Sequence, residues 1–465
     1  MHNQFRYKLT TLAICATLIS GCSSFTRTEY QAPELDVPQQ WQPLRSGQSV
    51  LTDFWWKQFQ DPQLNQLIEQ VLQTNNDLAL ATLTLREARL EAGLADDDAL
   101  PQFSSSLSAE KERDLRSNDT SDTYKASVSV SYELDLWGRV SASIDAAKWS
   151  AMASAEDRES TAQSLAATTA SLYWQIGYLN EHLTLSEENL NDARQTLELT
   201  QSQYQSGAAS KLDVLEARQS VTSLEISHSE LQQELTEANN AMAILFNQPP
   251  KDMQLNIHKL PNAPLPAVAA GIPADLLARR PDVKSALYEL KSALASKDET
   301  ASSYLPTLTL TGSIGDSSSQ LENLLQNPLG TLGAGLVLPF LQWNQMELNK
   351  QISDVQYQST IVSYRKTLYE AFEDVDNALS ARQQYLYQGE KLKVQYEDTK
   401  AAEEIYTSQY NNGAIGITDL LDAQQDRRDA EASLLENRYN QYVIQATLYQ
   451  ALGGSDIAPE LNQSQ

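Results

Sequence analysis

Asp419 and Asp422 stand three residues apart in ITDLLDAQQ, a spacing that puts two carboxylates on one face of a helix. Such a pair has two uses. It can complement the positive end of a helix that begins after Gly416, or it can concentrate negative charge where cations pass. The stretch that holds it is written twice: YQSGAASKLDVLEARQ (204–219) returns as YNNGAIGITDLLDAQQ (410–425), identical at seven of sixteen positions. Tyr204/Tyr410, Gly207/Gly413, Ala208/Ala414 and Asp213/Asp419 are among the matches. A glycine at this place reads as a left-handed cap that stops one helix and turns the chain into the next. Catalytic chemistry finds little else to use. His182, His228 and His258 have no partner histidine at metal-ligand spacing, and there is no nucleophile elbow or phosphate-binding loop. The remaining carboxylates are scattered along helical stretches, where a solvated face is the default. The chain does not read as an enzyme, and no metal or dissociable cofactor is expected.

One side chain does invite covalent chemistry. His2, Arg6 and Lys8 precede a short apolar run, Leu12 to Ile19, which ends in LISGC with Ser20 and Gly21 directly before Cys22. The run is too short to span a bilayer. The order resembles the lipobox of bacterial lipoproteins, which implies a signal peptide over 1–21 and a lipid (palmitate included) on Cys22 as the first mature residue. Ser23, rather than aspartate, follows, which by the rule for such lipoproteins implies the outer membrane. Cys15 leaves with the signal, so the mature chain has no internal disulfide.

The elements that must position these residues come in two sets. At 465 residues, several ordinary domains of roughly 100–200 residues would fit. The net charge of −27, from 61 acidic and 34 basic residues, argues against nucleic acid as a partner. LPQFSSSLS (100–108) answers LPTLTLTGS (305–313), and Trp137 answers Trp343 at the 206-residue offset that also relates the two glycine turns. Each half contains two strand-like segments. Ala126, Val128, Val130, Tyr132, Leu134 and Leu136 share one face, against Ser127, Ser129, Ser131, Glu133 and Asp135. Leu332, Ala334, Leu336, Leu338 and Phe340 repeat this, and Phe103, Leu107, Leu308 and Leu310 mark the strands before them.

Long helical runs follow, from about 141 to 205 and from about 345 to 412, each on the order of 100 Å at ~1.5 Å per residue. Leu172, Ile176, Leu179, Leu183, Leu190 and Leu197 stripe the first. Leu348, Ile352, Val355, Val362, Tyr369, Phe372 and Leu379 stripe the second, at coiled-coil spacing. Shorter helices are expected over 62–98, 211–247, 274–300 and 417–452. The expected organisation is a signal (1–21), an extended lead (22–60), a first repeat (61–248), a proline-rich linker (249–273), a second repeat (274–453) and a polar tail (454–465).

No mature segment is apolar enough for a spanning helix, so a chain of this kind crosses a membrane only as a closed barrel. Four strands cannot close one; small barrels start at about eight. More than one copy is needed. FWWKQFQDPQLNQLIEQVLQTNNDLALA (54–81), YELDLWGR (132–139), LLARRPDVKSALYELKSALA (276–295) and RYNQYVIQATLYQALG (438–453) together resemble bacterial outer-membrane efflux proteins of the TolC type. The lipoprotein branch that serves RND-type multidrug pumps is the nearest. The resemblance implies a mainly α fold with a β-barrel part. It implies a homotrimer with a 12-strand barrel in the outer membrane, continued by a 12-helix coiled-coil tunnel in the periplasm. It further implies a passive exit duct that works with a periplasmic adaptor and an inner-membrane RND-type transporter. Matching positions give Asp419 and Asp422 as a gate and selectivity ring, Tyr410 and Asp213 as a tip lock, and Gly207, Ala208, Gly413 and Ala414 as adaptor contacts. Two departures stand out. LPFLQWNQ replaces a Phe-Asp-Gly-Gly corner, and Ile415 stands where some members carry a tip arginine.

Other clients, secreted polypeptide or metal ions, fit the same duct, although five methionines form no metal-binding tract. A non-conducting coiled-coil lipoprotein also fits the periodicities. Cys22→Ser is expected to abolish metabolic labelling with palmitate; labelling that persists would remove the lipobox assignment.

Overall fold

The structure is a computed structural model that describes residues 27–34, 54–250, 255, 257–262, 264–267, 279–454 and 457. The signal segment and Cys22 lie outside the described residues, as does much of the linker and tail. Among the described residues eleven α-helices and β-strands follow in order: α1 (Pro62–Thr74), α2 (Asn76–Asp97), β1 (Gln102–Arg113), β2 (Thr120–Leu134), α3 (Arg139–Gln205), α4 (Lys211–Leu245), α5 (Pro281–Ser302), β3 (Thr307–Ser318), β4 (Leu329–Val337), α6 (Trp343–Asn411) and α7 (Ile417–Ala451). They form two compact units. One holds residues 83–156 and 284–367 with the segment 27–34, and the other holds the remaining described residues.

The first unit contains the antiparallel sheet, in the order β1-β2-β3-β4. Its register aligns the two faces across all four strands. Phe103 lies opposite Val130, Val130 opposite Gly312, and Gly312 opposite Leu332. Ser104, Ser129, Ser313 and Thr331 align on the other face, where the hydroxyls of Ser104 and Ser129 are 2.7 Å apart and those of Ser106 and Ser127 are 2.9 Å apart. A one-residue slip would mix the faces, so the pattern fixes the pairing. The apolar face is uncovered: Phe103 is 77% exposed, Ile314 65% and Leu332 92%.

The turn from sheet to α3 explains YELDLWGR. The Asp135 carboxylate accepts the Val140 N–H (3.1 Å) and the Ser141 N–H (2.9 Å), satisfying two free donors at the helix start. Glu133 takes Arg139 bidentately at 3.0 and 2.9 Å, Trp137 Nε1 donates to the Pro306 carbonyl at 2.8 Å, and Gly138 supplies a φ of 73°. The second corner lacks this set. Residues Pro339–Leu341 make a short 3-10 turn, and Trp343 is exposed. In the same unit, Thr28 donates its N–H (2.8 Å) and hydroxyl (2.7 Å) to Asp298 on α5, and Arg27 pairs with Asp145 on α3 at 2.9 Å. The chain is thus fastened to two helices a few residues after Cys22.

In the second unit, Asp61 caps α1 through the Gln63 and Leu64 N–H groups, with Pro62 at the first helical position. Trp55, Trp56 and Phe59 are buried with Trp174, Tyr442 and Tyr449, so the tryptophan pair is a packing element. Arg280 of LLARRPD is a tie. It takes Asp282 bidentately at 3.0 and 2.7 Å, Asp374 of α6 at 3.0 Å and the Ala451 carbonyl of α7 at 3.3 Å. Gly453, at φ 85°, lets the chain pass the Arg279 carbonyl carbon where a Cβ would come within 2.9 Å.

Two expectations change, and a third falls partly outside the described residues. The helix expected over 62–98 is two, because Asn75 accepts the Asp77 N–H (2.8 Å) and Leu78 N–H (3.3 Å) and starts a new helix. Its amide also donates to the Leu245 carbonyl at 3.0 Å. Of the helix expected over 274–300, Pro281–Ser302 is described with the proline at its first position, and residues 274–278 lie outside the described residues. The α6 stripe is only partly core. Phe372 and Leu379 are buried, whereas Leu348, Ile352, Val355, Val362 and Tyr369 are exposed, so the described residues of this chain do not cover them. A charge on the uncovered apolar sheet face costs about 2–4 kcal/mol at mid-bilayer in such barrels, and a polar-face change costs little. Val130→Arg should therefore deplete assembled protein in outer-membrane fractions more than Ser129→Arg, as native gels would record; equal depletion would indicate a sheet that does not face lipid.

Candidate functional site at the paired helical tips

Both glycine turns adopt one geometry. At the end of α3, Gly207 (φ 81°) donates its N–H to the Tyr204 carbonyl at 3.1 Å, and Ala208 donates to Gln203 at 2.8 Å. At the end of α6, Gly413 (φ 72°) bonds Tyr410 at 2.9 Å and Ala414 bonds Gln409 at 2.9 Å. This pair of bonds is the Schellman motif, which satisfies the last carbonyls of each helix. Gly207, Ala208, Gly413 and Ala414 are all exposed, and a Cβ on either glycine would meet only open space.

The helices that follow start differently. Ser210 caps α4 in a reciprocal box, in which its hydroxyl accepts the Asp213 N–H (3.2 Å) and the Asp213 carboxylate accepts the Ser210 N–H (2.6 Å). At the matching place before α7 stands Gly416, with no side-chain cap. Asp419 is therefore left in the first turn with its carboxylate exposed, and Asp422 is exposed on the same face. Asp426 and Asp429 continue that face at helical spacing, and both are exposed. The sequence reading missed this extension, although the 3-4-3 spacing was there to be counted.

The two hairpins meet along a polar seam. The Tyr410 hydroxyl donates to Gln203 Oε1 at 2.7 Å and lies 3.3 Å from the Thr200 hydroxyl. Within one chain, then, Tyr410 pairs with Gln203 and Thr200 rather than with Asp213, which the Ser210 box already occupies. Thr418 donates to Glu216 at 3.1 Å, and Gln424 to Thr196 at 3.4 Å. Ile415 packs with Leu421 beside Tyr410, Ile417 and Leu420, so the position of the absent arginine is part of a small apolar cluster. Arg427 bonds Glu403, Glu431 and Asn189 further along. Burial pushes the Glu403 carboxyl pKa up, and Arg427 pulls against that shift.

Two of the histidines lie on the helices behind the tips. His228 bonds Ser186 and Gln232 at 3.2 and 3.0 Å, and burial lowers the His182 pKa despite nearby Glu234 and Glu436. Among the described residues no group of His, Cys, Asp and Glu could hold a metal, and no helix is long and apolar enough to cross a membrane.

The profile of the outer membrane efflux protein family matches the chain twice, over residues 67–248 and 272–454. The chain belongs to that family. The duplication in the sequence is thus the family's own. This efflux protein is 30% identical to the pyoverdine export outer membrane protein OpmQ of Pseudomonas putida, with 90% of this chain and 92% of that one aligned. It is likewise 30% identical to the antibiotic efflux pump outer membrane protein ArpC of Pseudomonas putida, over 96% of this chain and 95% of that one. The solved outer-membrane channel OprN superposes with a TM-score of 0.85 at 25% identity, covering 92% of this chain and 99% of that one. The protein is an outer-membrane exit duct of the tripartite-pump class, and its family is one of channels, not of enzymes. Channels of this family are trimers that work with adaptors and pumps. Tyr410→Phe should raise resting conductance in planar bilayers about fivefold, the equivalent of one hydrogen bond of ~1 kcal/mol, without changing ion selectivity; wild-type conductance would deny the hydroxyl a part in closure.

Proposed function

We propose that three copies of this efflux protein close into one passive duct, which exports drugs or other small toxic compounds and is gated at its periplasmic tips. A 12-strand barrel in the outer membrane is continued by a 12-helix tunnel. A periplasmic adaptor couples it to an inner-membrane transporter of the RND type, and a lipid on Cys22 anchors each chain. The carrying observation is the four-stranded sheet, with unpaired edges on β1 and β4 and an uncovered apolar face. Edges of that kind must be paired in a bilayer, and further copies of the same sheet pair them. The exposed stripe on α6 supplies a matching seam for the helices. The relatives OpmQ and ArpC, by name exporters of pyoverdine and antibiotics, support a small organic cargo.

The gate reading rests on Asp419 and Asp422. Threefold symmetry brings six carboxylates around one axis, where they attract cations and repel anions. The open space over Gly207 and Gly413, flanked by Ala208 and Ala414, supports docking of the adaptor at the tips. Asp419→Ala with Asp422→Ala is expected to reduce cation selectivity and block by multivalent cations in planar bilayers. Unchanged reversal potentials and block would reduce the pair to the start of a helix.

A further inference from the structure

We propose that Arg427 clamps the two hairpins of each chain together in the closed duct, and that Arg428, the next residue, opposes the clamp. The proposal rests on reading the tips as a gate. Arg427 lies on α7 about 7 Å beyond Asp422, at ~1.5 Å per residue. Each nitrogen of its guanidinium reaches a different helix. Nε donates to Glu403 of α6 at 2.6 Å, Nη1 to Glu431 of α7 at 2.5 Å, and Nη2 to Asn189 of α3 at 2.6 Å. Glu403 and Glu431 hold the fork in place, and its free end crosses from the second hairpin to the first. The side chain is only 13% exposed, so solvent screens these bonds little. Closer to the tips, the cross-hairpin bonds of Thr418, Tyr410 and Gln424 use a hydroxyl or an amide donor. Arg427 adds a charged one. No lysine can replace it, because a single ammonium cannot span three acceptors in the plane of a guanidinium.

Arg428 is in the opposite situation. It is buried, and among the described residues its Nη2 bonds along its own helix, to Gln425 Oε1 at 3.0 Å. Its Nε is buried without an acceptor, and the neighbouring Gln424 Oε1 is buried without a donor. Burial and the neighbouring Arg427 disfavour this cation, the carboxylates of Glu403, Asp429 and Asp192 only partly offset that, and it regains water when the helices part. α7 therefore carries one arginine that favours the closed seam and one that favours opening. A balance of that kind can be shifted by an adaptor with modest differential affinity for the two arrangements.

Spin labels at Glu198→Cys and Asn411→Cys, exposed positions near the tips on α3 and α6, test the clamp without relying on transport. Doubly labelled chains diluted among unlabelled ones report the distance between hairpins of one chain by pulsed dipolar spectroscopy. Arg427→Met should lengthen and broaden that distance and raise resting conductance in bilayers roughly tenfold, the size of one charge-assisted hydrogen bond. Arg427→Lys should fall between Met and wild type. Arg428→Met should narrow the distance and lower the conductance, with trimer yield unchanged in all three. A wild-type distance in Arg427→Met, or a shift in the same direction from both arginines, would overturn the proposal. The predicted distance changes with no conductance from any variant would keep the clamp and count against the duct.

Discussion

Backbone groups that face hydrocarbon have no water to pair with, and this constraint governs the whole chain. The sheet has four strands, every inner edge paired in a register that sets Phe103, Val130, Gly312 and Leu332 in line, and two outer edges with no strand beside them among the described residues. An apolar face this open would be an aggregation hazard in a soluble protein. It becomes a stable arrangement only where lipid covers the face and other copies cover the edges. The exposed Leu348–Tyr369 stripe repeats the same incompleteness on a helix. One chain therefore encodes a part, and symmetry supplies the rest.

A part of that kind must fix the angle at which sheet becomes helix, because an error there is multiplied at each copy. The first corner is held by Asp135, the Glu133–Arg139 pair, Trp137 and Gly138, each meeting a different backbone or side-chain demand. Arg280 fixes the start of the second repeat against α6 and α7 in the other unit. These ties are only partly exposed, where polar bonds are less screened than at a surface, and they are short and bidentate where geometry matters most. The second corner does without such a set, so its angle depends more on its neighbours than on its own side chains.

Much of this could be read from the sequence, and the rest could not, for identifiable reasons. The strands were legible because a period of two admits one register, and the long helices because nothing over 141–205 or 345–412 breaks them. The glycine turns were legible because positive φ at a helix end restricts the residue type. The break at Asn75 was missed because apolar periodicity continues across it; an asparagine followed two residues later by aspartate was the available cue. The α6 stripe was read as a seam, but periodicity cannot say which chain provides the other side. Tyr410 with Gln203, and Arg427 with Asn189, join residues more than two hundred positions apart through long side chains, and no local pattern encodes such pairs. The capping box of Asp213, by contrast, was spelled out by Ser210 three residues earlier.

That last point bears on how a duplicated chain acquires a gate. Asp213 and Asp419 are the same residue in the two repeats, each six positions after its glycine. In the first repeat Ser210 binds the aspartate into the helix start, where it satisfies a backbone donor and is no longer free to meet a passing ion. In the second repeat glycine replaces that serine, the box cannot form, and the carboxylate stands exposed beside Asp422. The helix dipole still favours a negative charge there, so α7 keeps part of the stabilisation that a cap provides. Loss of a single hydroxyl is thus enough to leave exposed a carboxylate whose counterpart is tied into a helix start. The hairpin so released is the one that Tyr410, Thr418, Gln424 and Arg427 bond to its neighbour. Freedom of charge at the tip and restraint along the seam occur on the same helix, which is the combination a gate requires.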